Sequence, residues 1–160
     1  MNSGVEIIKG TLEHLATSLS LSLIFAKQAE ANLLADHTDF PLLVAYPIRF
    51  QTQLNPFGVS DTTYVLAIDI LQKSALADLD SEERLLALSY CETKKRNLLF
   101  QMKHLRDNEG RLVFRSITNI SGSYIKNAYD ANADGVRVEL QVKLNKQYEE
   151  ICPLPLSFSL

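Results

Sequence analysis

The sequence predicts an α+β domain: a largely antiparallel sheet with a long β-hairpin and two main helices packed on one face. Three observations carry this. Apolar residues near the N-terminus recur every three or four positions, a capped helical stretch starts near residue 80, and the segments between and after them alternate with period two.

In the first helix the apolar stripe is Val5, Ile8, Leu12, Leu15 and Leu19, with Ser3 placed to cap the first turn. The period then changes. Leu19, Leu21, Leu23 and Phe25 alternate with Ser20, Ser22 and Ile24, which predicts a strand with one wetter face. "QAEANLLADH" reads as a short connector, with a helical turn as the alternative.

Two extended runs follow, Leu42 to Leu54 and Thr62 to Lys73, separated by the turn chemistry of "NPFGVSD". They predict an antiparallel hairpin whose polar tip projects beyond the core. In its second run Tyr64, Leu66, Ile68 and Ile70 form the core face.

Asp80 and Glu83 form a capping-box-like pair at the start of a long helix that runs to about Arg106. Its expected buried stripe is Leu85, Leu88, Cys91, Leu98, Met102 and Leu105, and Gly110 lies in the loop that ends it. Three strands are expected after it: Arg111 to Ile117, Gly122 to Asn127, and Val136 to Leu144, the last by strict alternation. The boundaries are a single domain over residues 1–150 and an apolar arm over residues 151–160.

Composition narrows the function classes. A chain of 160 residues with 46% hydrophobic and 22% charged residues matches an ordinary soluble globular domain. A net charge of −3 argues against a dedicated nucleic-acid binder. Cys91 and Cys152 lie far apart and read as small buried hydrophobes in a reducing compartment. No apolar run approaches membrane-spanning length, and no signal peptide is expected, which points to the cytosol.

The most ligand-like stretch is "YDANADGVRVEL". Asp130, Asn132, Asp134 and Gly135 match the opening of a calcium loop, but Gln141 stands where a bidentate carboxylate is required, and a strand follows instead of a helix. The residues therefore read as a tight turn into the last strand, with Gly135 free to take positive φ; a weak noncanonical cation site is the alternative. His14, His37 and His104 have no metal-ligand spacing, and His14 and His104 are expected at exposed or boundary helix positions. Asp78, Asp80, Glu82 and Glu83 suit a helix N-terminus, and Lys94, Lys95 and Arg96 fan around a solvated helix face. No glycine-rich phosphate loop or nucleophile elbow occurs.

What remains is a projecting hairpin and the tail "ICPLPLSFSL", whose Ile151, Leu154, Leu156, Phe158 and Leu160 lie outside the periodic elements. Exposed apolar segments of this kind mark partner surfaces.

With the first amphipathic helix, "FPLLVAYP", "TTYVLAIDIL", the helix after "DSEER" and the closing "DANADGVRVELQVKL", the chain resembles the tail-terminator and tail-completion (neck) proteins of tailed bacteriophages, especially those of Bacteroidetes-like hosts. The resemblance covers most of the chain as element order. It implies a virion structural protein with no enzymatic activity and no cofactor. Such a subunit forms a homo-oligomeric ring, commonly a hexamer, in the tail or neck, assembled in the host cytoplasm. The ring caps the tail tube protein and meets the head-side connector, with DNA passing only in transit and no membrane contact. By the same resemblance, subunit contacts fall on Arg49, Gln51, Gln53, Phe57 and Asp61 of the hairpin and on Ile151, Leu154, Leu156 and Phe158 of the arm. The alternatives are another assembly or adaptor module, such as a baseplate or secretion-system component, then a small enzyme built around Asp69, His104 and Glu139, and last a calcium-binding module.

Overall fold

A computed structural model of the chain describes residues 3–27, 30, 39–54, 56–57, 60–73, 81–128 and 133–149. The α+β architecture is as the sequence predicts. Helix α1 (Gly4–Ser18) begins with a full capping box: the Ser3 amide donates to Glu6 Oε2 at 2.6 Å, and the Glu6 amide donates to Ser3 Oγ at 3.3 Å. Ile8, Leu12 and Leu15 are buried along one stripe, as expected, joined by Thr11 and Ala16. His14 is exposed.

Leu19 caps the helix, Ser20 takes a positive φ of 55°, and the chain enters strand β1 (Ser22–Phe25). The strand is shorter than the alternation suggested and has no wet face. Leu23 and Phe25 pack against the helix-side core, while Ile24 is buried in a second cluster behind the sheet.

The run Leu42 to Leu54 is two strands, β2 (Leu42–Ala45) and β3 (Arg49–Leu54), separated at Tyr46, Pro47 and Ile48. Both pair antiparallel with the same long strand, β4 (Ser60–Lys73), so the expected hairpin exists with a break at Pro47. Proline supplies no ladder donor, which accounts for the interruption. The Tyr46 amide bridges it by donating to the Ala67 carbonyl at 3.0 Å.

Helix α2 (Ser81–His104) corrects the predicted stripe. Cys91, Leu98 and Met102 are buried, Leu88 and Leu105 are half-buried, but Leu85 is 64% exposed. The reason is angular: at about 100° per residue, Leu85 lies some 240° from Cys91, and Ala87 takes the buried position instead. Asp80, the expected cap, lies outside the described residues. Gly110 has φ 78° in the following loop, where its amide donates to the Asp107 carbonyl at 2.9 Å.

The two strands expected at Arg111 to Ile117 and Gly122 to Asn127 are one strand, β5 (Phe114–Ala128), with register shifts between Phe114 and Ser116, Thr118 and Ser121, and Ile125 and Ala128. Asn119, with φ 51°, sits in the second of these. The polar and glycine residues that looked like a break make bulges instead. Strand β6 (Ala133–Leu144) starts three residues before Val136, and a single helical turn, α3 (Lys146–Glu149), closes the described chain.

The sheet order is β1-β2-β4-β6-β5, with β3 also on β4; β1 and β2 are parallel and every other pair is antiparallel. One cluster joins α1 and α2 to Leu43, Leu66, Ile68, Ile70, Val136, Val138, Leu140, Val142 and Leu144, so both main helices cover one face. Each such fully buried aliphatic side chain contributes about 1.5–3 kcal/mol. Behind the sheet, Ile24, Ala26, Leu42, Val44, Leu71 and Ala133 form a smaller cluster.

The basic run of α2 is not simply a solvated face. Lys94 Nζ donates at 2.6 Å to the Leu19 carbonyl, at the C-terminal end of α1. Helix α1 has no basic residue in its own last turn, so α2 supplies the positive charge that its dipole favours. Lys95 and Arg96 both pair with Glu92.

Candidate interaction surface

Strand β3 is exposed at all six residues. Its pairing carries β4 beyond the body of the sheet: β3 meets β4 from Ser60 to Val65, whereas β6 joins β4 only from Tyr64 onward. About four residues of each strand therefore project as a two-stranded ribbon, roughly 13 Å at 3.3 Å per residue.

Cross-strand pairs place the side chains. Arg49 lies opposite Val65, Gln51 opposite Thr63, and Gln53 opposite Asp61. Directly opposed residues share a face, so Arg49, Gln51, Gln53 and Asp61 come together on the side of the ribbon away from the helices. Phe50 and Leu54 share the other side with Tyr64, 65% and 73% exposed respectively, and Phe57 in the turn is 90% exposed. The Phe50 and Tyr64 rings are tilted at 47° with centroids 6.2 Å apart, and Thr52 and Thr62 share a 2.9 Å hydroxyl contact. Phe50 and Leu54 are the residues that sequence reasoning missed. Their signal was the alternation of Phe50, Thr52 and Leu54 with Arg49, Gln51 and Gln53, hidden by the polarity of the segment.

Asp61 is held within the chain. It forms ion pairs with Lys143 of β6 and Arg115 of β5, and these hold its carboxyl below the usual range, the Lys143 hydrogen bond contributing most. Ile151, Leu154, Leu156 and Phe158 lie outside the described residues.

A second surface lies at the β5 end of the sheet order. Strand β5 is terminal, and between it and the C-terminal half of α2 runs a groove of about 510 Å³. Leu99, Phe100 and Lys103 line it from α2, and Phe114, Arg115 and Ile117 from β5.

The calcium-like loop has a different role from the one its first half suggests. Asp130 and Asn132 lie outside the described residues, but Asp134 is a fully buried strand residue, 3.1 Å from Arg84 Nε of α2. Its backbone carbonyl accepts a weak contact from Cys91 Sγ at 3.8 Å. Burial, with the Asp134 charge adding to it, pushes the Cys91 thiol up to about 12, consistent with an inert core cysteine. Gly135 does not take positive φ. A Cβ there would stand 2.0 Å from the Ile70 carbonyl oxygen, so glycine is needed for close approach of β6 to β4.

Asp69, His104 and Glu139 do not converge. Asp69 and Glu139 point away from the helices, His104 ends the helix that covers the other face, and the sheet stands between them. His104 is exposed, and its Nδ1 lies 2.8 Å from the Phe100 carbonyl. Asp69 is committed to Arg137, which donates to it through Nε at 2.7 Å and Nη2 at 2.8 Å, and to Tyr46, whose hydroxyl donates at 2.5 Å. Among the described residues no three His, Cys, Asp or Glu side chains are grouped to hold a metal ion, and no helix is long and apolar enough to cross a membrane.

In comparisons with protein-family models and with curated proteins, the chain matches none.

Proposed function

We infer that the chain is a structural subunit that assembles through its projecting ribbon, in the manner of a phage tail-terminator or neck protein. The observation that carries this is the ribbon itself: β3 is exposed along its whole length, with Phe50 at the base and Leu54 and Phe57 at the tip. An isolated two-stranded ribbon has no core to bury such side chains, and a neighbouring subunit supplies one. A ribbon that reaches from one copy onto a different surface of the next makes a head-to-tail contact, which closes into a ring when the rotation between copies permits. On this reading Arg49, Gln51 and Gln53 contribute the polar side of the contact, in a hexameric ring that caps a tail tube below the head-side connector.

Mass photometry of the purified protein, alone and with polymerised tail-tube protein, tests the reading. Rings are expected, either free or on tube ends, and the double substitution Leu54→Asp and Phe57→Asp is expected to abolish them while leaving the thermal midpoint unchanged. Rings that persist in that variant, or a chain that stays monomeric both alone and with tubes, overturn it.

A further inference from the structure

Helix α2 buries one face, with Cys91, Leu98 and Met102 at its centre, and leaves the opposite face in solvent. That face is not simply polar. Leu86 and Phe100 are 71% and 65% exposed, and at about 100° per residue they lie within some 40° of each other around the helix axis. Exposed positions recur there at 82, 86, 89, 93, 96, 100 and 103, in alternating steps of four and three. This is the spacing of a helix–helix seam, and it faces away from the core.

The seam is ordered along its length. Glu82 stands at its N-terminal end and Lys103 at its C-terminal end, Leu86 and Phe100 come next inward, and Ser89, Thr93 and Arg96 occupy the middle. The helix dipole accounts for an acid in the first turn and a base in the last. It does not account for the two exposed apolar side chains. Nor does the chain use the end charges itself: Glu82 and Lys103 form no ion pair among the described residues.

We propose that a second copy of this chain docks on this face, the two α2 helices running antiparallel about a two-fold axis near Thr93. Reversal of direction sets Glu82 against the partner's Lys103 and Leu86 against the partner's Phe100, and the symmetry repeats each pair at the other end. Ser89 and Thr93 are small enough at the middle to let the helix axes approach to about 8–10 Å. Parallel pairing would set acid on acid and base on base, so charge selects the antiparallel arrangement. One helix face is a small contact with its charges at the rim, so the dimer is reversible and weakens as salt screens the end pairs. The contact uses no residue of the ribbon and stands apart from the ring reading.

Thiol cross-linking reads the arrangement. Cys91 is buried and inert, so with Cys152→Ser a cysteine introduced on α2 is the reactive thiol. Leu86→Cys and Phe100→Cys are made as separate full-length proteins in that background, mixed at low ionic strength and treated with a short bismaleimide. Covalent dimers are expected from the mixture and not from either protein alone, because like positions stand about 21 Å apart along the paired helices. Adding Glu82→Lys to both proteins is expected to lower the cross-linked fraction severalfold, and adding Lys103→Glu as well to restore it, with circular dichroism unchanged throughout. No cross-link in the mixture, a cross-link from either protein alone, or a cross-link indifferent to the charge variants or not restored by the double swap overturns the proposal. A bond between positions 86 and 100 reports contact along α2 whether or not the ribbon assembles, so the two readings fail separately.

Discussion

Asp69 and Arg137 face each other across β4 and β6 in register, and the guanidinium grips the carboxylate through two nitrogens at 2.7 and 2.8 Å. Asp69 is 1% exposed, whereas the Arg137 side chain keeps a third of its surface in water. The Asp69 hydrogen bond holds the Arg137 guanidinium well above its usual pKa, and the Tyr46 ring lies 5.2 Å below it. The asymmetry in burial sets different consequences for losing either partner.

Arg137→Ala leaves a buried carboxylate without its counter-charge and is expected to cost about 3–5 kcal/mol in chemical denaturation. Asp69→Ala leaves an arginine that can turn toward solvent, so about 1–3 kcal/mol is expected. Replacing both with leucine should recover most of the larger loss. Equal losses for the two single variants would show that the burial asymmetry does not decide the energetics.

Gly135→Ala should destabilise by about 3 kcal/mol or more, because the new methyl group meets backbone instead of a movable side chain. Gly10→Ala, where a Cβ would meet nothing within 4 Å, should be neutral or slightly stabilising through helix propensity. Thermal melts of the two variants separate these outcomes.

Lys94→Met keeps the length of the side chain but removes the ammonium that caps α1. A loss of about 0.5–2 kcal/mol is expected, together with faster hydrogen exchange in the last turn of α1. Unchanged exchange there would mean that water satisfies the Leu19 carbonyl equally well.

Asp107 organises the loop after α2. Its Oδ1 accepts from the Glu109 and Arg111 amides at 2.9 Å each, while Oδ2 accepts from Tyr148. The Arg111 amide, with Tyr148 and the Arg111 side chain after it, holds the carboxyl down at about 2. An unfolded aspartate titrates near 3.9. The folded value is the lower one, so the stability this group contributes is complete above about pH 4 and is lost as pH falls toward about 2. Melting temperature followed across that window should drop in the parent and drop less steeply in Asp107→Asn, which starts lower; parallel curves would assign the acid sensitivity to other carboxylates.

The strands and helices were legible where one face is buried and the other wet. Ile8, Leu12 and Leu15, or Val136 to Leu144, declare their elements because burial imposes the period. Three kinds of feature were not. Burial on both faces hides which face is wet: β1 was legible as a strand, but Ile24 behind and Phe25 in front leave it without the wetter face that the serines suggested. Bulges look like strand ends, so β5 read as two pieces. Long-range pairing is invisible locally: Asp134 resembled a cation ligand because Arg84, its partner, lies fifty residues earlier. The polar side of the ribbon was legible in Arg49, Gln51 and Gln53, while the alternation of Phe50 and Leu54 with them was hidden by the polarity of the segment.

The ion pairs at Asp61 give the ribbon a mechanical property. Lys143 and Arg115 belong to two different strands, so the ribbon is tied near its outer end across the sheet and not only along β4. A strut braced in this way would lose little conformational freedom on covering of its tip at Leu54 and Phe57. Force applied at the tip passes into the sheet by the same route.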